Sequence, residues 1–128
     1  MNPADTPRKT EYVIHTDVKY GPQELVDIGQ IADGCTEQWW NQSLVRVNDC
    51  VVRLGVFLGE FHWHQHDRED EFFYVLEGLL HLDFRDRTVE LRPRQGMLVS
   101  RGVVHRTRAQ QRTVVLMTEA ATVVPTGD

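Results

Sequence analysis

The stretch GEFHWHQHDREDEFFYVLEG, residues 59–78, decides the fold that this sequence predicts. His64 and His66 are separated by one residue, so on a strand their side chains point to the same face. Their Cα atoms are then about 6.6 Å apart, within reach of one ion. The polar residues 67–70 suit a turn, after which Glu71 begins a second apolar run and can face the same ion. The spacing therefore indicates a metal site on two adjacent strands.

A third histidine, His105, closes the sequence GVVH at residues 102–105. Three imidazoles and one carboxylate suit a borderline divalent ion of the first transition row and leave coordination positions open, as a catalytic site requires. These ligand types do not identify the ion, because iron, manganese, zinc, nickel and copper all accept them. The candidate metal ligands are His64, His66, Glu71 and His105.

Other polar residues nearby leave alternatives open. His62 has the parity of the two paired histidines, so it either supports a ligand or lies at the rim of the pocket. A shifted ligand set that begins at His62 and uses Glu69 is rejected, because that carboxylate would fall inside the charged turn. Asp70 is the substitute if Glu71 does not bind the ion. His81 is expected at the surface, and no residue stands out as a catalytic base.

From Leu44 onward the sequence consists of short runs rich in β-branched and aromatic residues, separated by turn-forming residues. This texture predicts an antiparallel sandwich or barrel without βαβ units. Several runs are apolar on both faces, which predicts a second covering surface and favours a homodimer. The predicted strands are residues 44–47, 51–58, 72–76, 79–84, 88–91, 97–99 and 113–117.

The segment before Leu44 carries weaker local signals. The first ten residues are polar and expected to be mobile, and residues 12–14 predict a short edge strand. Pro22 suits the first turn of a short helix that ends near Gly34. Trp39 and Trp40 are interpreted as packing residues rather than as a stacking platform for a ligand. The apolar face of the helix would contain Leu25, Ile28, Ile31 and Ala32.

The composition excludes several classes of protein. The 128 residues suit one domain, and the net charge of -5 argues against a nucleic-acid-binding module. No N-terminal apolar stretch is typical of a signal peptide, and no run approaches the ~18 residues of a membrane span. We therefore expect a cytoplasmic protein without a membrane partner. Cys35 and Cys50 are expected to be reduced thiols that are buried or half-buried.

Two patterns in the sequence resemble the motifs of the cupin superfamily. The first motif is matched by His64-x-His66-x4-Glu71-x6-Gly78, and the end of the second by Gly102-x2-His105. The resemblance covers roughly residues 44–118. The second motif departs from the family pattern, because Ser100 replaces a usual proline and Arg94 replaces the usual opening glycine. Gly96 could supply that turn instead.

The resemblance implies an all-β fold, the double-stranded β-helix or jelly-roll barrel of cupins, here with a short N-terminal helix. It also implies a divalent transition metal inside the barrel on the four ligands named above. We predict an N-terminal arm over residues 1–43, the barrel over 44–120 and a C-terminal tail over 121–128. The tail ends in turn formers and is expected to be exposed.

Two classes of function fit this prediction. The first is a metal-dependent enzyme, such as an oxygenase, isomerase or lyase, on a small organic substrate. The second is a non-catalytic module that binds or senses a small molecule, since cupins include both. Parity from His64 predicts an apolar lining, and no fixed positive charge shares that parity, which argues against a phosphate clamp. The predicted lining is Leu54, Val56, Leu58, Phe73 and Val75.

Overall fold

The computed structural model describes residues 11–128, so the mobility predicted for the first ten residues lies outside the described residues. Residues 11–128 form eight strands and one helix, and the architecture is the predicted all-β jelly roll. The elements are β1 (Tyr12–His15), α1 (Ile28–Gly34), β2 (Trp39–Val47), β3 (Cys50–Glu60), β4 (Glu71–Glu77), β5 (Leu80–Phe84), β6 (Thr88–Leu91), β7 (Gly96–Val99) and β8 (His105–Ala120).

Strand β8 organises the sheet. Along one side it pairs with β3, and along the other it pairs first with β5 and then with β4. The sheet order is β1-β2-β3-β8-β4-β7, with β6 joined to β5. Strand β1 confirms the predicted edge strand and pairs parallel to β2, whereas the other strand pairs are antiparallel. The first half of β8 was missed by the prediction, because its residues 105–112 are mostly polar.

The interior of the barrel is filled by aromatic side chains. Trp39 is 1% exposed and stacks on Phe57 with ring centroids 4.1 Å apart and on Phe61 at 5.5 Å. Trp40 is half-buried and packs against a second apolar cluster. The packing interpretation of both tryptophans is therefore confirmed. Strand β2 nevertheless begins at Trp39, five residues before the strand predicted at residues 44–47. The prediction missed these residues because their mixture of aromatic and polar side chains hides the alternation.

Helix α1 covers the second apolar cluster, which includes Ala32, Leu54 and Val56. The sequence predicted that the helix begins near Pro22, but it begins at Ile28. The segment before it forms a turn instead, in which the Glu24 N–H donates to the Gly21 carbonyl at 3.3 Å. The Asp27 side chain then caps the helix by accepting from the Gln30 N–H at 3.0 Å. Leu25 lies before this cap and is 87% exposed.

Two further sequence predictions are wrong. His81 was expected at the surface but is only 7% exposed. It lies on β5, an inner strand whose register places it between Glu90 of β6 and Arg108 of β8, so neighbouring side chains flank it on both sides. Cys50 was expected to be at least half-buried but is exposed, because it opens β3 directly after a turn. Cys35 is half-buried, and both cysteines are free.

Candidate metal centre

A β-bulge aims the first paired histidine into the barrel. The Phe61 N–H donates to the Thr107 carbonyl at 2.9 Å, and His64 and His105 then exchange backbone hydrogen bonds at 3.0 and 2.9 Å. Between these contacts two residues oppose Arg106 alone, which is the pattern of a bulge. Because the extra residue reverses the facing of side chains, His64 shares the interior with the odd-numbered Phe57 and Phe61.

The bulge explains an error in the predicted pocket lining. Leu54 and Val56 belong to the cluster beneath α1, and Leu58 is 39% exposed. Parity counted back from His64 was therefore wrong for β3. On β4 the same reasoning was correct for Phe73, which lines the cavity, and it placed Val75 properly in the core beside it.

The structure brings the four candidate ligands together. One nitrogen or oxygen atom from each of His64, His66, Glu71 and His105 lies within 4.8 Å of the others. Glu71 Oε1 is 3.6 Å from His66 Nε2 and 3.5 Å from His105 Nε2. Three of these side chains are buried, with exposures of 1–6%, and His64 is half-buried. The ligand role itself stays a prediction.

Backbone carbonyls orient two of the imidazole rings. His105 Nδ1 lies 2.9 Å from the Val103 carbonyl and His64 Nδ1 lies 3.0 Å from the His62 carbonyl. A carbonyl only accepts, so each Nδ1 carries the proton and each Nε2 is left as a lone-pair donor to a metal ion. This is the tautomer that a metal ligand requires.

Several buried polar atoms of the cluster have no hydrogen-bond partner among the described residues. They are His66 Nδ1 and Nε2, Glu71 Oε1 and His105 Nε2. Leaving such a group unsatisfied costs about 1–3 kcal/mol, and buried polar atoms in folded proteins are normally paired. Convergent imidazole and carboxylate atoms without partners fit a divalent metal ion, which would satisfy them together.

The charges of the cluster are strongly coupled. Burial, followed by the nearby His105 ring, lowers the pKa of His64 to about 4. Burial also acts to lower the pKa of His66, but the Glu71 carboxylate, 3.6 Å from His66 Nε2, outweighs it and raises the pKa. Burial acts to raise the pKa of Glu71, yet the neighbouring Glu119 carboxyl and the adjacent His105 and His66 rings lower it. Glu71 is thus held as the carboxylate.

A buried carboxyl and a buried guanidinium lie behind Glu71, and sequence reasoning missed both. Burial and the neighbouring Glu71 raise the pKa of Glu119 to about 10, so this carboxyl keeps its proton and donates to Glu71. Arg53 lies with its Nε 3.6 Å from Glu119 and donates to Asn41 Oδ1 at 2.8 Å. Arg53 is odd-numbered, so it does not share the parity counted from His64 on which no fixed positive charge was expected. The only sequence signal was a charged residue inside an otherwise apolar run.

The neighbouring acidic residues do not join the four-residue cluster. Asp70 is exposed, accepts from the Arg101 N–H at 2.9 Å and pairs with its side chain, so it is not the substitute for Glu71. Glu69 lies in a separate group with His66 and Asp128. His62 is exposed and stacks on Phe61 with ring centroids 4.3 Å apart, which places it at the rim.

The turn of the second motif also differs from expectation. Arg94, where the family carries glycine, has a φ of 68°, in the left-handed region that glycine favours. Gly96 does not supply that turn. It is required by space instead, because a Cβ there would lie 2.7 Å from Phe72 Cζ and from the Phe73 carbonyl. Gly102 supplies a left-handed turn near the ligands, and its N–H donates to the His66 carbonyl at 2.8 Å.

A small cavity adjoins the cluster. Its volume is about 20 Å³, which holds little more than one water molecule. Phe57, Phe61 and Phe73 line it together with His64 and Glu71. The C-terminal residues also reach it, because Pro125 forms part of the wall. The predicted exposed tail is thus wrong for this part of the chain, and local composition gave no sign of the long-range contact.

Comparison with known proteins agrees with this geometry. The family model for the cupin domain matches residues 58–119. The uncharacterized protein YdbB of Bacillus subtilis (strain 168) is 48% identical over 90 residues, which cover 70% of this chain and 80% of that protein. The helix within residues 11–128 is not long and apolar enough to span a membrane.

Solved structures show the same fold. A cupin-2 domain protein from Shewanella frigidimarina is similar with 27% identity and a TM-score of 0.71, covering 75% of this chain and 94% of that chain. Protein NMB1881 from Neisseria meningitidis is similar with 23% identity and a TM-score of 0.67, covering 76% of this chain and 99% of that chain.

Proposed function

Because this chain belongs to the cupin superfamily, we propose that it binds one divalent transition metal ion and acts as a metal-dependent enzyme on a small organic substrate. The ligands are His64, His66, Glu71 and His105. The observation that carries the proposal is the convergence of buried imidazole and carboxylate atoms that have no other partner among the described residues. The reaction belongs to the oxygenase, isomerase or lyase class.

The side chains around the ligands have separate tasks in this proposal. A bound ion of this kind polarises an oxygen atom of the substrate or lowers the pKa of a bound water. The Val103 and His62 carbonyls hold two imidazole rings in the ligating tautomer. Glu119 keeps a proton on the carboxyl that faces Glu71 and fixes that carboxylate. The aromatic walls exclude water, which strengthens electrostatic interactions inside the cavity.

A non-catalytic module that binds or senses a small molecule is the second candidate, since cupins include both classes, and either function requires the cavity to enlarge. A space of about 20 Å³ holds no organic substrate while the pocket has this shape. Metal-replete protein tested for oxygen consumption and for turnover of sugar and keto-acid panels separates the two. Turnover supports the enzyme, whereas saturable binding without turnover supports the module. The homodimer, the cytoplasmic location and the division into arm, barrel and tail stay predictions.

Elemental analysis of purified protein tests the metal proposal. We expect about one transition metal ion per chain and its loss in the Glu71→Gln variant. Asp70→Asn is the matched control, because this neighbouring carboxylate is exposed and paired with Arg101 outside the cluster. It should retain the ion. Equal metal content in both variants would contradict the assignment of Glu71.

A further inference from the structure

The last residues of the sequence lie across the ligand-bearing segment. Residues 123–128, which we call the strap, begin at Val123, whose side chain is buried with 8% exposure. Pro125 then forms part of the cavity wall. The Gly127 N–H donates to the Val124 carbonyl at 2.8 Å, so the strap turns back over the pocket.

The strap is fastened to the segment that carries His64 and His66. His62 Nε2 donates to the Thr126 carbonyl at 2.6 Å. The Asp128 N–H donates to the Gln65 carbonyl at 3.0 Å, and the Asp67 N–H donates to Asp128 Oδ2 at 2.7 Å. Each of these three hydrogen bonds, which we call the fasteners, therefore lies within a few residues of a candidate ligand.

Gly127 shows how closely the strap approaches the site. Its φ is 94°, and a Cβ built at this position would lie 2.6 Å from His64 Cβ. Glycine thus meets two requirements here, the left-handed backbone and the absence of a side chain against the ligand. The backbone of the strap lies directly on His64, which is the one candidate ligand that is only half-buried.

We propose that the strap is a lid that controls access to the metal centre and limits the size of the ligand that reaches it. The inference rests on the proposed metal site. The cavity of about 20 Å³ must enlarge before an organic molecule enters, and Pro125 is the part of its wall that the strap supplies. The fasteners are hydrogen bonds at exposed positions, so the strap can open while the strands stay paired.

The rate of metal removal tests the lid. Zinc-loaded protein is mixed with excess EDTA, and zinc release is followed for the full chain and for three variants. Deletion of residues 124–128 should speed release at least tenfold, and His62→Ala, which removes one fastener, should speed it severalfold. His15→Ala is the matched control, because His15 is exposed on β1 and does not contact the strap. Equal rates in all four proteins would overturn the proposal.

A second measurement needs no metal and separates the two proposals. Metal-free protein is treated with diethyl pyrocarbonate, and modification of His64 is quantified by mass spectrometry relative to the exposed His15. The relative rate should rise in the deletion variant and in His62→Ala, with circular dichroism verifying the fold. An unchanged rate in folded variants would overturn the lid. Failure of every protein to hold zinc would instead refute the metal site and leave this result to decide about the strap.

Discussion

Two buried carboxylates on opposite faces of the same barrel show how a ligand differs from a structural anchor. Glu71 faces the interior, and its Oε1 has no hydrogen-bond partner among the described residues. Asp83 of β5 accepts from Thr88, Arg106 and Arg108 at 2.7–2.9 Å. Both are nearly fully buried, and both have a lowered pKa. The two differ in their hydrogen-bond partners: Asp83 has the partners that it needs, whereas Glu71 Oε1 and the nearby imidazole nitrogens lack partners that the proposed metal ion would supply.

The causes of the two lowered pKa values follow the same division. For Asp83 the hydrogen bond from Arg108 is the largest cause, with Thr88 and Arg106 adding to it. For Glu71 burial opposes ionisation, and the neighbouring Glu119, His105 and His66 side chains reverse its effect. Permanent cations thus hold one carboxylate, while groups that exchange protons hold the other. Only the second arrangement can exchange its protons for a metal ion.

Exchange of Glu71 for Gln should have the largest effect on metal binding. Zinc affinity is expected to fall on the order of a hundredfold or more, because a charged ligand is removed. The full chain at a zinc concentration 100 times Kd should gain about 2.7 kcal/mol of unfolding free energy, and the variant should gain much less. Thermal unfolding with and without zinc measures both. If zinc raised the unfolding free energy of the variant as much as that of the full chain, Glu71 would not differ from Asp83 as a ligand.

Exchange of Asp83 for Asn should act on the metal-free fold instead. The variant weakens charge-assisted hydrogen bonds to Arg106 and Arg108, so the unfolding free energy should fall by about 1–3 kcal/mol. Its zinc content should equal that of the full chain, because Asp83 lies outside the ligand cluster. Urea unfolding and elemental analysis provide the two readings. Loss of zinc without loss of stability would reverse the roles assigned to the two carboxylates.

Two histidines of the cluster, His64 and His66, should titrate in a defined order. In the metal-free protein His64 is expected to titrate at about 4, whereas His66 should titrate above the ordinary histidine value of 6.5. A raised folded pKa means that His66 binds its proton more tightly than an ordinary histidine, so metal affinity falls as pH drops through that pKa, because the ion must then displace the proton. His64 adds no proton competition above about 4. NMR titration of the ring C–H signals measures the order, and His64 titrating last as pH is lowered is the predicted result.

The smallest effect is expected at Arg94, which belongs to neither carboxylate cluster. Its substitution gives a reference value of the unfolding free energy for a change away from both. Its φ of 68° is costly for a residue with a Cβ, so Arg94→Gly should raise the unfolding free energy by about 1 kcal/mol. Arg92→Gly is the control, because Arg92 lies in the same turn without a positive φ. It should be neutral or destabilising. Equal effects of the two substitutions would show that backbone strain is not the cause.

The sequence predicted what depends on local spacing and failed where distant segments meet. The two-residue period placed His64 and His66 together, the strand and turn pattern around them added Glu71 and His105 as candidates, and the cupin resemblance implied the same four residues. One extra residue at positions 62–63 then reversed the parity on which the predicted lining depended. Local patterns cannot reveal such a bulge, because it is defined by the partner strand.

Two other features were out of reach for the same reason. Arg53 and Glu119 are ionisable residues within apolar runs, where such side chains normally indicate an outward face, and the neighbours that accompany their burial come from other strands. The strap binds residues more than 60 positions earlier in the chain, through hydrogen bonds that each join a side chain to a backbone atom, and a backbone partner carries no sequence signal. The one local sequence signal of the strap is Gly127, and a glycine there indicates no more than an ordinary turn.

The central claim is that three imidazoles and one carboxylate bind one ion inside the barrel. X-ray absorption at the zinc edge of the zinc-loaded chain tests it most directly. The account predicts nitrogen and oxygen neighbours at about 2.0–2.2 Å, with multiple scattering from three imidazole rings. Sulfur neighbours, fewer than three imidazoles, or a spectrum unchanged in the Glu71→Gln variant would contradict it.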